Sequence, residues 1–331
     1  SVQNGNAIEG GLFIGAGGEL RLSQQFAGPP SISNAAFSGP GKLTVASGVT
    51  ANFSNSTGTL GQLVVEGTVG WAAGTLTVGD YFQSGGSFGG AGGLTVTNGF
   101  ANTSGVFAPT GALSITQAAG NLLFNESVAV SSLSLSAPTG GITMGGASTV
   151  SGNLALSAGG GISQTGGSLV ANGVTTFNAP GSTVNLSQGS NNFNIIQGST
   201  GALTIVDGNS LAVGASGINS NNNNVNLSAT GIGNTTLLGN INAGTGTDHA
   251  ADSADRQRGS SAVPSTFSCG RSSRSSLRRA SMAWSTSSGS GTRPSAASTS
   301  LARRAVGSSI SRDRGTTSGW SHSASRWSAP T

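Results

Sequence analysis

Leu94-Thr95-Val96, Leu113-Ser114-Ile115, Leu133-Ser134-Leu135 and Leu154-Ala155-Leu156 follow one another at intervals of 19, 20 and 21 residues. In each triplet, large apolar side chains flank a small or polar one. Alternate residues of an extended chain share a face, so both apolar residues of a triplet point the same way. Such a short strand with one apolar face is not stable alone. A unit of about twenty residues repeated in series buries that face by stacking each copy on the next.

The element continues upstream as Leu43-Thr44-Val45, Leu63-Val64-Val65 and Leu76-Thr77-Val78, and downstream as Val184-Asn185-Leu186, Leu203-Thr204-Ile205 and Val225-Asn226-Leu227. Over the whole series the leading positions are 20, 13, 18, 19, 20, 21, 30, 19 and 22 residues apart. The two outlying intervals predict one shortened coil near Gly70 and one divergent coil around residues 157–183. A second apolar position follows many of the triplets, as at Phe53, Phe88, Phe107, Phe124, Ile142, Ile162, Phe193 and Val213. Gly, Asn, Ser and Thr lie between and supply turns that take positive φ. The expected fold is all-β, a right-handed parallel β-helix (β-solenoid) of about 20 residues per coil, spanning about 45 Å at the usual inter-strand spacing. An antiparallel sandwich also turns often, but nothing in it imposes a twenty-residue repeat. The repeats are expected over residues 43–245. Residues 1–42 fit poorly and read as irregular or divergent first coils, with Leu20-Arg21-Leu22 the one candidate element.

Composition divides the chain. Residues 1–245 hold two bases, Arg21 and Lys42, and six acids, whereas residues 246–331 hold 12 Arg and four Asp. All 26 Asn lie before residue 246. The last 86 residues contain 25 Ser and only six Leu, Ile, Val or Phe, too little apolar surface to offset chain ordering, so 246–331 is read as a disordered Ser/Arg/Ala-rich tail. Over the whole chain only 7% of residues are charged, against roughly 25% in ordinary soluble proteins, which disfavours an enzyme with a charged active site. No apolar run is long enough for a membrane-spanning helix, and no membrane insertion of this segment is expected. The start at Ser1, with no basic or apolar leader, reads as a piece of a longer chain.

Ala112-Leu113-Ser114-Ile115-Thr116-Gln117, Gly160-Gly161-Ile162-Ser163-Gln164-Thr165-Gly166-Gly167 and Leu203-Thr204-Ile205-Val206-Asp207-Gly208 resemble the repeats of filamentous-haemagglutinin-like exoproteins. Autotransporter passengers share that repeat style, and the resemblance covers about residues 43–245. It implies a Gram-negative exoprotein exported by two-partner secretion or as an autotransporter, through an outer-membrane transporter. It also implies a β-helix secreted to or held at the cell surface, with host-cell or matrix glycans or proteins, or neighbouring cells, as partners. The family's Asn-Pro-Asn-Gly secretion motif and an Arg-Gly-Asp tripeptide are both missing from this sequence. The stretch therefore reads as an interior part of the rod, and no binding residue carries over.

Glycoside hydrolysis needs two carboxyl groups about 5–10 Å apart. Glu66 and Glu126 are 60 residues apart, about three coils; Asp80 and Asp207 fall at other phases, and nothing aligns Glu9 or Glu19. Residues 1–245 contain no His to activate a Ser or Thr nucleophile. His249, His322 and Cys269 are too scattered for a zinc site. Gly15-Ala16-Gly17-Gly18 and Gly89-Gly90-Ala91-Gly92-Gly93 precede no helical pattern and read as tight corners rather than phosphate cradles. Asn221 to Asn224 read as a turn or an Asn ladder. The expectation is no catalytic, cofactor-binding or metal-binding residue, no cofactor and no enzyme activity. The principal reading is an adhesive or structural rod; the alternative is the non-catalytic part of a carbohydrate-active β-helix. Arg271-Ser272-Ser273-Arg274 and its surroundings resemble a basic RNA-binding arm. A reading-frame shift near codon 246 explains the same text more simply, so nucleic acid is not the expected partner.

Overall fold

The structure, a computed structural model, describes residues 8–23, 31–230 and 234–251. They form a parallel β-solenoid of about 11 coils with about 20 residues per turn, and contain no helix. One coil shows the plan. Val128–Val130, Ser132–Ala137 and Ile142–Met144 are three short strands separated by corners, and the next coil repeats them as Ser148–Val150, Leu154–Ala158 and Ile162–Gln164. Each pairs in parallel with its successor, Val128 with Ser148, Leu133 with Leu154 and Ile142 with Ile162. The three strands define three faces, A, B and C in chain order.

Alternation puts every second side chain inside. Along face B, Leu76, Leu94, Leu113, Leu133 and Leu154 stack in register, none more than 1% exposed. Burying each such Leu contributes about 2 kcal/mol. Face C carries Leu43, Leu63, Tyr81 and Phe100 in one inward row, and Leu122, Ile142, Ile162, Val184, Leu203 and Val225 further on. Face A contributes aromatic piles, with Phe53 on Trp71 at 4.7 Å and Phe88 on Phe107 at 5.7 Å between ring centroids.

These rows correct the expected irregular coils. Leu63 sits on face C and Leu76 on face B, so their 13-residue interval is a step between faces; the rung partner of Leu63 is Tyr81, 18 residues on. Likewise Leu154 on face B pairs with Thr175 and Ile162 on face C with Val184, so the 30-residue interval again crosses faces. The coil through Gly70 is shorter than its predecessor by only about two residues, and the stretch 157–183 keeps the ladder with one register shift between Ala171 and Val174. Tyr81-Phe82-Gln83 and Thr175-Thr176-Phe177 hold triplet positions with a polar residue facing inward, which hides them from the apolar pattern.

The ladder also begins earlier than expected. Ile8–Phe13 pairs with Ser31–Ser38, with one register shift between Ile8 and Gly10, and Glu19–Leu22 pairs with Lys42–Val45, so the described part of 1–42 belongs to the ladder. It also ends later, for Asp248–Ala251 pairs with Val225–Ser228 beyond the expected boundary at 246. The expected disorder of the remaining tail concerns 252–331, which lie outside the described residues.

Corners explain the Asn and Gly content. Where the chain turns, amides lose their ladder carbonyls, and a side-chain oxygen from the neighbouring coil replaces them. Asn121 Oδ1 accepts from Gly141 N at 2.8 Å, Asn153 Oδ1 from Val174 N at 3.0 Å and Asn224 Oδ1 from Thr247 N at 3.0 Å. The reaching side chain lies over its neighbour one coil on, which is often Gly: a Cβ at Gly145 would collide with Asn125 Oδ1, and one at Gly173 would stand 2.5 Å from Asn153 Oδ1.

Candidate functional site

Charge is concentrated on face C of the first coils. Register places Glu19 beside Lys42, and Arg21 beside Thr44. Lys42 Nζ stands 3.2 Å from Glu19 Oε1, while Arg21 reaches Glu66 at 3.1 Å and Glu19 at 3.9 Å. The expectation that nothing aligns Glu19 is thereby corrected, because the ladder begins earlier than the repeat pattern shows. The buried Thr44 hydroxyl donates to Glu19 at 2.6 Å and, with Lys42, holds its carboxyl below the ordinary range. Pairs this exposed contribute about 0–1 kcal/mol each. A depression of about 330 Å³ lies beside them, lined by Gly17, Glu19, Gly41, Lys42 and Gln62.

A second polar group lies inside. Gln83 and Asn102 occupy the inward row that Val45 and Val65 hold in earlier coils. Tyr81 donates its hydroxyl to Gln83 Oε1 at 2.6 Å, and Gln83 Nε2 donates to the carbonyls of Gly85 and Val106. Asn102 Nδ2 donates to Glu126 Oε2 at 2.9 Å, and burial raises the Glu126 carboxyl against that hydrogen bond. Burial, with the Glu126 charge, pushes the Tyr81 phenol well up. At this point the face C ladder breaks between Asn102 and Leu122. Gln117 Oε1 takes up Phe100 N at 3.0 Å, and the Phe100 and Phe124 rings bridge the gap at 6.0 Å. Glu126 and Glu66 remain about three coils apart.

Gln164 and Asn191 form a reciprocal amide pair, both bonds 2.9 Å, and Asn191 Oδ1 also accepts from Leu169 N. Asp207, fully buried, accepts from Phe193 N at 2.6 Å and Asn209 N at 2.7 Å. Burial raises its carboxyl while those amides pull it down. Triplet spacing does not point to Gln83, Asn102, Gln164 or Asn191. Their only signal is a polar residue at a phase of the repeat that is otherwise apolar.

The remaining candidates are corners. Gly17 has φ +71°, and Gly18 N closes the turn onto Gly15 O at 2.9 Å. Gly90 has φ +121°, and neither it nor Gly92 leaves room for a Cβ against Trp71. Asn221 and Asn222 both take positive φ, 51° and 66°, and Asn222 Oδ1 accepts from Thr245 N one coil on, so the Asn run is a turn that also bonds to the next coil. Among the described residues no three His, Cys, Asp or Glu side chains come together.

Outside, the faces carry mainly Ser, Thr, Asn, Gly and Ala. A shallow groove of about 620 Å³ runs along face A across several coils, bordered by Asn52, Thr68, Gly70, Ser87, Gly89 and Val106. Buried carboxylates and amides hold corners and ladder breaks, while the outer surface offers hydroxyls, amides and backbone over long flat strips.

Fold and surface together define a parallel β-solenoid repeat protein. A family model described as "Repeats of unknown function (DUF5649)" matches residues 131–197, about three coils in the middle of the ladder. No curated protein and no solved structure matches the chain.

Proposed function

We propose that the solenoid is the structural and adhesive rod of a bacterial exoprotein, held at or released from the cell surface, and works without catalysis. The observation that carries this reading is the division of labour between inside and outside. Inside, leucine, valine and aromatic rows run on from coil to coil, so the coils set a fixed spacing along the ladder. Outside, successive coils present short polar side chains and a shallow groove, suited to many weak contacts spread along a surface. The interior polar groups engage backbone amides and carbonyls of corners, which supports an architectural part for them. The repeat style shared with filamentous-haemagglutinin-like exoproteins points the same way.

The test uses the purified chain on cultured cells, on immobilised matrix proteins and on a panel of soluble polysaccharides. Saturable adherence with no change in polysaccharide chain length is expected. Release of oligosaccharides that scales with protein concentration would replace this reading with a carbohydrate-active one, and absence of adherence to every surface would reduce it to a structural rod.

A further inference from the structure

We infer that face B is a self-association surface on which a second copy of this chain packs side by side. The inference concerns face B alone and does not depend on the adhesive reading.

The outward row of face B places Thr59, Thr77, Thr95, Ser114 and Ser134 on consecutive rungs, in register. All five are exposed or half-exposed, and among the described residues none of their hydroxyls has a hydrogen-bond partner. The row beside it runs in register from Thr116 through Ser136 and Asn178 to Asn242, again hydroxyls and amides only. No charged residue stands on these rungs, whereas face C carries Glu19, Arg21, Lys42 and Glu66.

Three properties make a second copy the fitting occupant. Hydroxyls and side-chain amides both donate and accept, so such a face complements itself under a two-fold axis without matched charges. Short side chains lose little rotamer freedom when covered and let two sheets approach to about 10 Å with interdigitated rows, as stacked sheets with polar ladders do. The area also suffices. A strip five residues wide and eight rungs long measures about 16 by 38 Å, so two copies would bury about 1,200 Å², the lower end of specific interfaces. Association of this kind is reversible and, with no charge on the face, indifferent to salt.

Sedimentation velocity of the full chain over a concentration series, repeated across a salt series, tests this. A reversible dimer whose dissociation constant does not move with salt is expected. Thr95→Lys with Ser134→Lys puts like charges opposite each other and should weaken it at least about tenfold. Thr143→Lys with Asn185→Lys, on the outward row of face C, should leave it unchanged. Circular dichroism verifies folding, and Thr77→Asp with Ser114→Asp repeats the test should the lysine variant misfold. A chain that stays monomeric at every concentration, a dimer that dissociates with salt, or a dimer that survives both face B variants overturns the inference.

Discussion

At the scale of the residue, corners and some strand positions follow a short rule: an Asn or Asp in one coil, a Gly above it in the next. Asn52 lies under Gly70, Asp80 under Gly99, Asn125 under Gly145 and Asn153 under Gly173, where the side-chain oxygen fills the space a Cβ needs. Gly145→Ala should therefore cost about 1–3 kcal/mol by overpacking, as read from the urea midpoint. Removing the obstacle in Asn125→Ala/Gly145→Ala should recover most of that, a coupling a double-mutant cycle isolates. Gly189→Ala, with nothing within 4 Å and no positive φ, should be neutral or slightly stabilising. The abundance of Asn and Gly was legible in the sequence; their pairing was not, because it depends on knowing which residues share a rung. The interior carboxylates make a second prediction. Burial raises the folded-state pKa of Glu126 above its ordinary value of 4.5, so the folded chain holds the proton more tightly than the unfolded one. The stability this gives is full below that value and is lost as pH rises through the folded pKa. Glu126→Gln is neutral at every pH and still accepts from Asn102. It should unfold at higher urea than the parent at pH 7 and converge with it at acid pH; a Gln variant less stable at pH 7 would show that the carboxylate is needed in its charged form.

At the scale of the element, three short strands per coil are nearly interchangeable in sequence, since most are apolar-x-apolar triplets between turns, as in Val128–Val130, Ser132–Ala137 and Ile142–Met144. That is why the repeat and the parallel solenoid could be read from the triplets, while the assignment of triplets to faces could not. Spacing measures coil length only between triplets on the same face, and the series crosses from C to B at Leu76 and back at Val184. The interior polar positions were hidden for a related reason: Gln83, Asn102 and Gln164 look like turn residues until their rung partners are known. What holds a corner is testable at Asp207. Its carboxylate satisfies Phe193 N at the start of one strand and Asn209 N in the turn after another. Asp207→Ala leaves both amides without a partner in a buried place and should cost about 1–3 kcal/mol. Leu133→Ala, in the middle of the face B row, should cost about 2–5 kcal/mol through cavity formation. Leu123→Ala, on the outer side of face C at 59% exposure, should change the urea midpoint little.

At the scale of the whole molecule, a solenoid is held by contacts between neighbouring coils, so one discordant rung is a local defect that the rest tolerates. The last described rung is discordant. On face C the inward row passes through Leu122, Ile142, Ile162, Val184, Leu203 and Val225, and its next member is Asp248. Asp248 Oδ1 is buried without a hydrogen-bond partner, and burial raises the carboxyl against the attraction of His249. The same point in the chain is where Asn ceases and Arg begins to accumulate. A shift of reading frame near codon 246 accounts for the broken row, the lost Asn and the gained Arg by one event. Sequencing the gene again across codons 235–331 and translating all three frames should reveal a frame with apolar residues in the places of Asp248 and Ala250, and then a triplet about twenty residues on. In that case the nucleic-acid reading ends and the inward rows continue into further coils. If no frame restores the row, Asp248 and the Arg-rich segment belong to the chain. Asp248→Leu should then raise the unfolding midpoint by relieving the unpartnered carboxylate. The twelve arginines should in turn retain the protein on a polyanion column in a strongly salt-dependent way, which would add an anionic partner to a rod that otherwise presents almost no charge.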